Sequence, residues 1–166
     1  MKIQKRILAI DFVVIVGTLL IIAGIVGYTR PLVLSPIDNF ETTETAVLFE
    51  FEKANVILLD DNSQLSSPDK IYVENNLIIN LKPGVYYWKV EGALESEVRK
   101  ITIESEIDLI LKESDDGFEV ANAGNTRFNV DIYGADDKLI GNVILDVGKT
   151  KNVENNVTKF IGRDDE

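Results

Sequence analysis

Residues 81–92 read LKPGVYYWKVEG, and their alternation sets the fold class. Tyr86, Trp88 and Val90 fall on one side of an extended chain, while Tyr87, Lys89 and Glu91 fall on the other. That two-residue period belongs to a half-buried strand. The same pattern extends upstream. Ala46–Glu52 puts Val47, Phe49 and Phe51 on one face and Leu48, Glu50 and Glu52 on the other. Asn55–Asp60 is mostly apolar, as a central strand is. Lys70–Glu74 and Asn76–Leu81 follow the loop Asp61–Asp69, with Leu77, Ile79 and Leu81 alternating with Ile78 and Asn80. Val98–Ile103 closes the set. With an edge strand near Pro31–Ser35 the segment predicts about seven strands, the number of one immunoglobulin-type sandwich.

Downstream, residues 104–163 contain no proline and no tryptophan but keep the alternation. Ile107, Leu109 and Leu111 alternate, Ser114-Asp115-Asp116-Gly117 is a hairpin turn, and Phe118 and Val120 begin the return strand. Asn122-Ala123-Gly124-Asn125 turns again before Phe128, Val130 and Ile132, which lead to a further turn at Gly134–Asp137. Leu139–Val147, Thr150–Val153 and Lys159–Ile161 supply the remaining predicted strands. A core of about 60 residues is marginal alone, so this segment is expected to pack against its neighbour.

The stretches LSPIDN, TAVLFEFEKANVILLDDNSQLSSP and LKPGVYYWKVEG together resemble a fibronectin type III-like module of microbial surface proteins, over residues 31–103. Leu81-Lys82-Pro83-Gly84 followed by Tyr86 and Val90 resembles that family's turn and tyrosine-bearing strand. The chain departs from the family in lacking the early-strand tryptophan; Phe51 takes its place and Trp88 lies on the later strand. The phrase VANAGNTRFNVDIYG resembles the N-x-G-N turn of immunoglobulin-like repeats in microbial envelope proteins. The resemblance implies two small β-sandwich modules, 31–103 and 104–163, with a tail at 164–166. It also implies a spacer, adhesive or scaffold role.

The N-terminus reads differently. Residues 7–28, ILAIDFVVIVGTLLIIAGIVGY, carry one charge, Asp11, and no polar stripe every three or four residues. As a helix this run spans roughly 33 Å, close to the bilayer's hydrocarbon thickness. Lys2, Lys5 and Arg6 precede it, within a stub at 1–6, and Arg30 alone follows closely. The positive-inside rule then places the N-terminus in the cytoplasm and everything after Thr29 outside. A cleaved signal peptide would be shorter and end in small-x-small, whereas Ile25-Val26-Gly27 offers a bulky Ile25. A signal anchor is therefore expected. A pilin-type leader shares the basic start, apolar helix and early acidic residue, but Asp11 follows Ala9 by only two positions.

Within the span, Asp11 either reaches the headgroups or meets a partner helix. Ala23-x-x-x-Gly27, with Gly17 one heptad before Gly24, offers small residues for a close helix contact and hence an oligomer.

The 166 residues include no cysteine and no histidine, and 28 acidic against 17 basic residues give a net charge of −11. With three basic residues before the span and Asp11 inside it, the part beyond Thr29 is at −13. This composition excludes a disulfide scaffold, thiolate chemistry and cysteine-bound zinc, and argues against nucleic acid as a partner. No cofactor is expected. Calcium candidates are Asp60-Asp61-Asn62, Asp115-Asp116 and Asp136-Asp137, with Asp60 and Asp61 foremost. Each also falls where a turn is needed, and Asp and Asn form turns, so the plainer reading is structural.

Carboxylate pairs for glycoside hydrolysis and a Ser–Lys dyad have no supporting motif, so enzymatic activity is not expected. Among Tyr72, Tyr86, Tyr87, Trp88 and Tyr133, the outward Tyr87 is the binding candidate and Tyr86 and Trp88 are core. Asn156-Val157-Thr158 is a single N-glycosylation sequon. The expected protein is a single-pass cell-membrane protein whose acidic, all-β exterior serves a binding, scaffolding or accessory-subunit role at the cell surface, with a protein or glycan as partner. The alternative is a pilin-like or lattice subunit assembling through its helix.

Overall fold

A computed structural model of the chain describes residues 2–74, 76–114, 117–154 and 157–164, with side chains given for most of them. Among the described residues one α-helix, α1 (Lys2–Thr29), is followed by fourteen strands. These are β1 (Leu32–Ser35), β2 (Phe40–Thr42), β3 (Ala46–Glu52), β4 (Ala54–Asp60), β5 (Asp69–Tyr72), β6 (Leu77–Asn80) and β7 (Gly84–Gly92). Then come β8 (Arg99–Ile103), β9 (Leu109–Ser114), β10 (Gly117–Asn122), β11 (Phe128–Tyr133), β12 (Leu139–Leu145), β13 (Thr150–Glu154) and β14 (Lys159–Asp164). The protein is thus mostly β-sheet behind a single N-terminal apolar helix.

Among the described residues, Asp11–Thr29 alone forms a helix long and apolar enough to cross a membrane, and nothing in the protein buries it. Its two threonines fold their hydroxyls back onto the preceding turn. Thr18 Oγ1 donates to Val14 O at 2.8 Å and Thr29 Oγ1 to Ile25 O at 3.0 Å. This removes the cost of an unsatisfied donor in an apolar surround.

The described strands pair in the orders β1-β3-β6, β2-β8-β7-β4-β5, β13-β10-β9 and β12-β11-β14. Residues 31–103 hold eight strands rather than about seven. The extra one, β2, pairs parallel with β8 through Phe40↔Ile101 and Thr42↔Ile103. Three residues are too few to show an alternation, which is why β2 leaves no mark in the sequence.

The chain folds as two compact units, and the division runs through β3, β6, β7 and β8. The first comprises Met1–Ile37, Phe49–Leu77 and Tyr87–Arg99; the second comprises Asp38–Leu48, Ile78–Tyr86 and Lys100–Glu166. Strands that leave one unit for the other carry no change of alternation to announce the crossing.

In the first unit β4 buries four consecutive residues, Val56, Ile57, Leu58 and Leu59, as a strand covered on both faces does. It pairs with β7 from Ala54↔Gly92 to Asp60↔Tyr87, and with β5 from Val56↔Tyr72 to Leu59↔Asp69. Phe49 of β3 meets Trp88 of β7 edge to face, with ring centroids 4.7 Å apart at 84° and both side chains fully buried.

In the second unit Val120, Phe128, Val130, Ile132, Val143 and Leu145 form one core. Leu109, Val153 and Phe160 pack on it, so each strand from β9 to β14 contributes, and Val157 joins them from the loop before β14. Val130 pairs with Val143 on one side and Gly162 on the other, and the β11–β12 register shifts between Ile132 and Tyr133.

Replacing Phe49 by Ala removes the partner of Trp88 and leaves a cavity. Urea unfolding of the full-length chain in detergent, read by the single tryptophan, should show a loss of about 3–5 kcal/mol.

Candidate functional site

The β4–β7 ladder sets two ends roughly 20 Å apart, since β4 advances about 3.3 Å per residue between Ala54 and Asp60. One end adjoins α1: Lys53 Nζ lies 4.7 Å from the centre of the Tyr28 ring. The other end brings together two residues singled out from the sequence, because Asp60 and Tyr87 are direct cross-strand partners. Tyr87 is half-buried and Asp61 is exposed beside them.

The Asp60 carboxylate organises the loop that leaves this end. Oδ1 accepts from the Asn62 amide at 3.2 Å and Oδ2 from the Ser67 amide at 3.0 Å. The Asn62 side chain continues the arrangement, accepting from the Gln64 amide at 2.9 Å and donating to Ser66 Oγ at 3.1 Å. The Ser67 amide foremost, with the Asn62 amide behind it, holds the Asp60 carboxyl below its ordinary value of 3.8 against an opposing desolvation. Both carboxylate oxygens of Asp60 are thus already engaged with backbone, and calcium needs six to eight oxygens. Among the described residues no three acidic side chains converge into a metal-holding group. Asp136 and Asp137 lie in the β11–β12 turn, where the Asp137 amide donates to Gly134 O at 3.1 Å and Asp137 adopts φ 53. Asp115, Asp116 and Asn156 lie outside the described residues.

The aromatic candidates separate by environment. Trp88 is fully buried, whereas Tyr86 is half-buried and donates from its hydroxyl to Lys82 O at 3.0 Å. Tyr72, on the edge strand β5, is 77% exposed. On α1, Asp11 is exposed and the Cβ positions of Gly17, Gly24 and Gly27 open onto empty space.

The Asn122–Asn125 turn is more than a turn. Asn122 is the one buried polar side chain among the described residues, at 2% exposure. Its Nδ2 donates to Thr126 O at 2.8 Å and Leu145 O at 3.1 Å, and its Oδ1 accepts from the Gly124 amide at 2.9 Å. Asn125 Nδ2 donates to Thr43 O at 2.6 Å and Glu104 O at 2.8 Å, while its Oδ1 accepts from the Glu106 amide at 2.7 Å. A Cβ on Gly124 would strike the Glu106 carbonyl oxygen, so only glycine lets the turn approach that strand connection. Beside it opens a shallow groove of about 440 Å³, bordered by Thr43, Thr45, Glu106, Gly124 and Val147. The turn is legible in the sequence but the groove is not, because its walls come from segments about eighty residues apart in the chain.

No protein-family model matches the chain, and comparison with curated proteins and with solved structures returns no significant match.

Asp60→Asn should loosen the 61–68 loop. A carboxyl lowered on folding adds stability above its unfolded value and loses it as pH falls through the folded value. The wild type should therefore unfold at higher urea than Asp60→Asn at pH 7, with the gap closing below pH 3.8. Asn122→Ala should cost about 1–3 kcal/mol or more in the same assay, because it strands buried carbonyl and amide groups.

Proposed function

We propose that this is a single-pass envelope protein, with residues 1–6 cytoplasmic and 7–28 as an uncleaved signal anchor. It displays a non-enzymatic β-sandwich exterior that binds a protein or glycan partner at the cell surface. The observation carrying the reading is α1, an apolar helix buried by nothing in the protein and joined within three residues to β-sheet. The three basic residues before the span give the direction.

Three features support a fibronectin type III-like reading of residues 31–103. The order β1-β3-β6 corresponds to strands A-B-E, and β8-β7-β4-β5 to G-F-C-C′. Phe49 and Trp88 then occupy strands B and F, where antibody domains place their inter-sheet disulfide. Tyr86, two residues before Trp88, bonds back to Lys82 O as the tyrosine corner of such sandwiches does. Display is the mechanism: the helix sets location, and the end with Tyr87, the 61–68 loop and the edge strand β5 meets the partner. The exposed glycines of α1 favour, as second reading, an assembling subunit packed through its helix.

The absence of native cysteine makes topology directly measurable. Ser66→Cys should react with a membrane-impermeant maleimide in intact cells, and Lys2→Cys only after lysis. The mature N-terminus should be retained; a product beginning at Ile10 would instead favour the assembling subunit. Tyr87→Ala should leave the unfolding midpoint near wild type. It should yet weaken partner recovery in crosslinked co-purification from the native membrane by about 30-fold, the effect of a roughly 2 kcal/mol hot spot.

A further inference from the structure

The end of the first unit beside α1 carries features that the display reading does not use. Tyr28 is 76% exposed at the close of the span, the position where aromatic side chains settle at the water–lipid boundary. Lys53 stacks its ammonium over that ring, which puts the β3–β4 turn at the same height. Arg30 follows Tyr28 by about 3 Å of helical rise. It pairs with Glu97 at 2.7 Å, which brings the 93–98 loop there too.

That loop is held in place by its own bonds. The Ser96 amide donates to Val90 O at 2.9 Å, the Val90 amide to Ser96 Oγ at 3.0 Å, and the Gly92 amide to Leu94 O at 3.0 Å. A Cβ on Gly92 would meet the Lys53 carbonyl oxygen, so the β3–β4 turn lies close against the end of β7 from which the loop departs.

Three apolar side chains are exposed on these segments: Leu32 at 50%, Leu94 at 38% and Val98 at 44%. Leu32 stands three residues beyond Thr29, within about 10 Å of the end of the helix. On the 93–98 loop Glu97 pairs with Arg30 and Glu95 with Lys89, while Glu52, the cross-strand partner of Leu32, stands exposed next to Lys53. An exterior at −13 would otherwise be repelled by anionic lipid; at the 93–98 loop the two ion pairs lessen that repulsion. The headgroup layer is about 5–7 Å deep on each side of the hydrocarbon. A surface tied to Tyr28 and Arg30 lies inside that depth.

We propose that this face, through Leu32, Leu94 and Val98, seats in the outer headgroup layer of the same bilayer that α1 spans. The first unit is then held in a fixed posture, with Asp60 and Tyr87 turned about 20 Å away from the lipid along the β4–β7 ladder. The inference rests on the membrane-anchor reading.

The test uses the full-length chain in nanodiscs of phosphatidylcholine and phosphatidylglycerol, with an environment-sensitive fluorophore on one introduced cysteine at a time. The variants are Ile15→Cys in the span, Leu94→Cys and Val98→Cys on the face, and Ser66→Cys on the distal loop. Each is used only where the Trp88 emission matches wild type. Blue-shifted emission and loss of signal to headgroup-quencher lipid at residue 94 or 98, with neither at 66, is the expected result. If 94 and 98 both behave like 66 while the label at 15 is quenched by mid-chain quencher lipid, the docking is overturned and the anchor stands. If the label at 15 reports water, the anchor reading falls and the docking with it.

Discussion

The contact between Phe49 and Trp88 is the constraint on which the first unit depends. In a chain with no cysteine, nothing covalent holds β3 against β7, so an edge-to-face aromatic pair does it. Such a pair contributes about 0.5–1.5 kcal/mol beyond its area burial, less than the roughly 2–4 kcal/mol of a disulfide. The difference is met by area: two large rings are entirely removed from water, and Ile57 and Val90 are removed as completely. Trp88 also fixes register, since it pairs with Leu59 on β4. Slipping β7 by one residue would drive Lys89 and Tyr87 inward and put Trp88 in solvent.

Once register is set there, the ends of the ladder follow. Ala54↔Gly92 forces the β3–β4 turn against the backbone of β7, which glycine permits and which Lys53 answers with φ 62. Asp60↔Tyr87 closes the other end, and the Asp60 carboxylate then organises the loop beyond it. One buried contact therefore positions both the turn that touches Tyr28 and the loop carried at the far end. In the second unit the same part is played by polar groups. Asn122 and Asn125 convert a four-residue turn into six hydrogen bonds, whose partners include Thr43, Glu104, Glu106 and Leu145.

What the sequence discloses and what it conceals divide along the range of the interactions. Val47 and Phe49 are legible as core because strand alternation is a local property, and so is the apolar run Val56–Leu59. The helix is legible because length and apolarity are also local. The parallel pairing of β2 with β8 is not, since about sixty residues intervene and β2 is too short for a period. Asn122 reads as a turn former, which it is; that it is also buried depends on Leu145, twenty-three residues on. Asp60 and Tyr87 each stand out for separate reasons, and only the β4–β7 register shows them to be neighbours.

Charge is distributed to suit a tether. On the anchor reading, an exterior at −13 stays soluble and apart from anionic surfaces, with carboxylates such as Asp61 and Asp69 standing outward where water screens them. Beside α1 the pattern changes: Glu97 and Glu95 are paired, Arg30 and Lys53 sit at the helix end, and leucine and valine come to the surface. A uniformly acidic protein tethered within three residues of a bilayer would have to stand off from it. On that reading the Arg30–Glu97 and Lys89–Glu95 pairs lessen the repulsion at the end where the tether allows no distance, and the carboxylates elsewhere keep it.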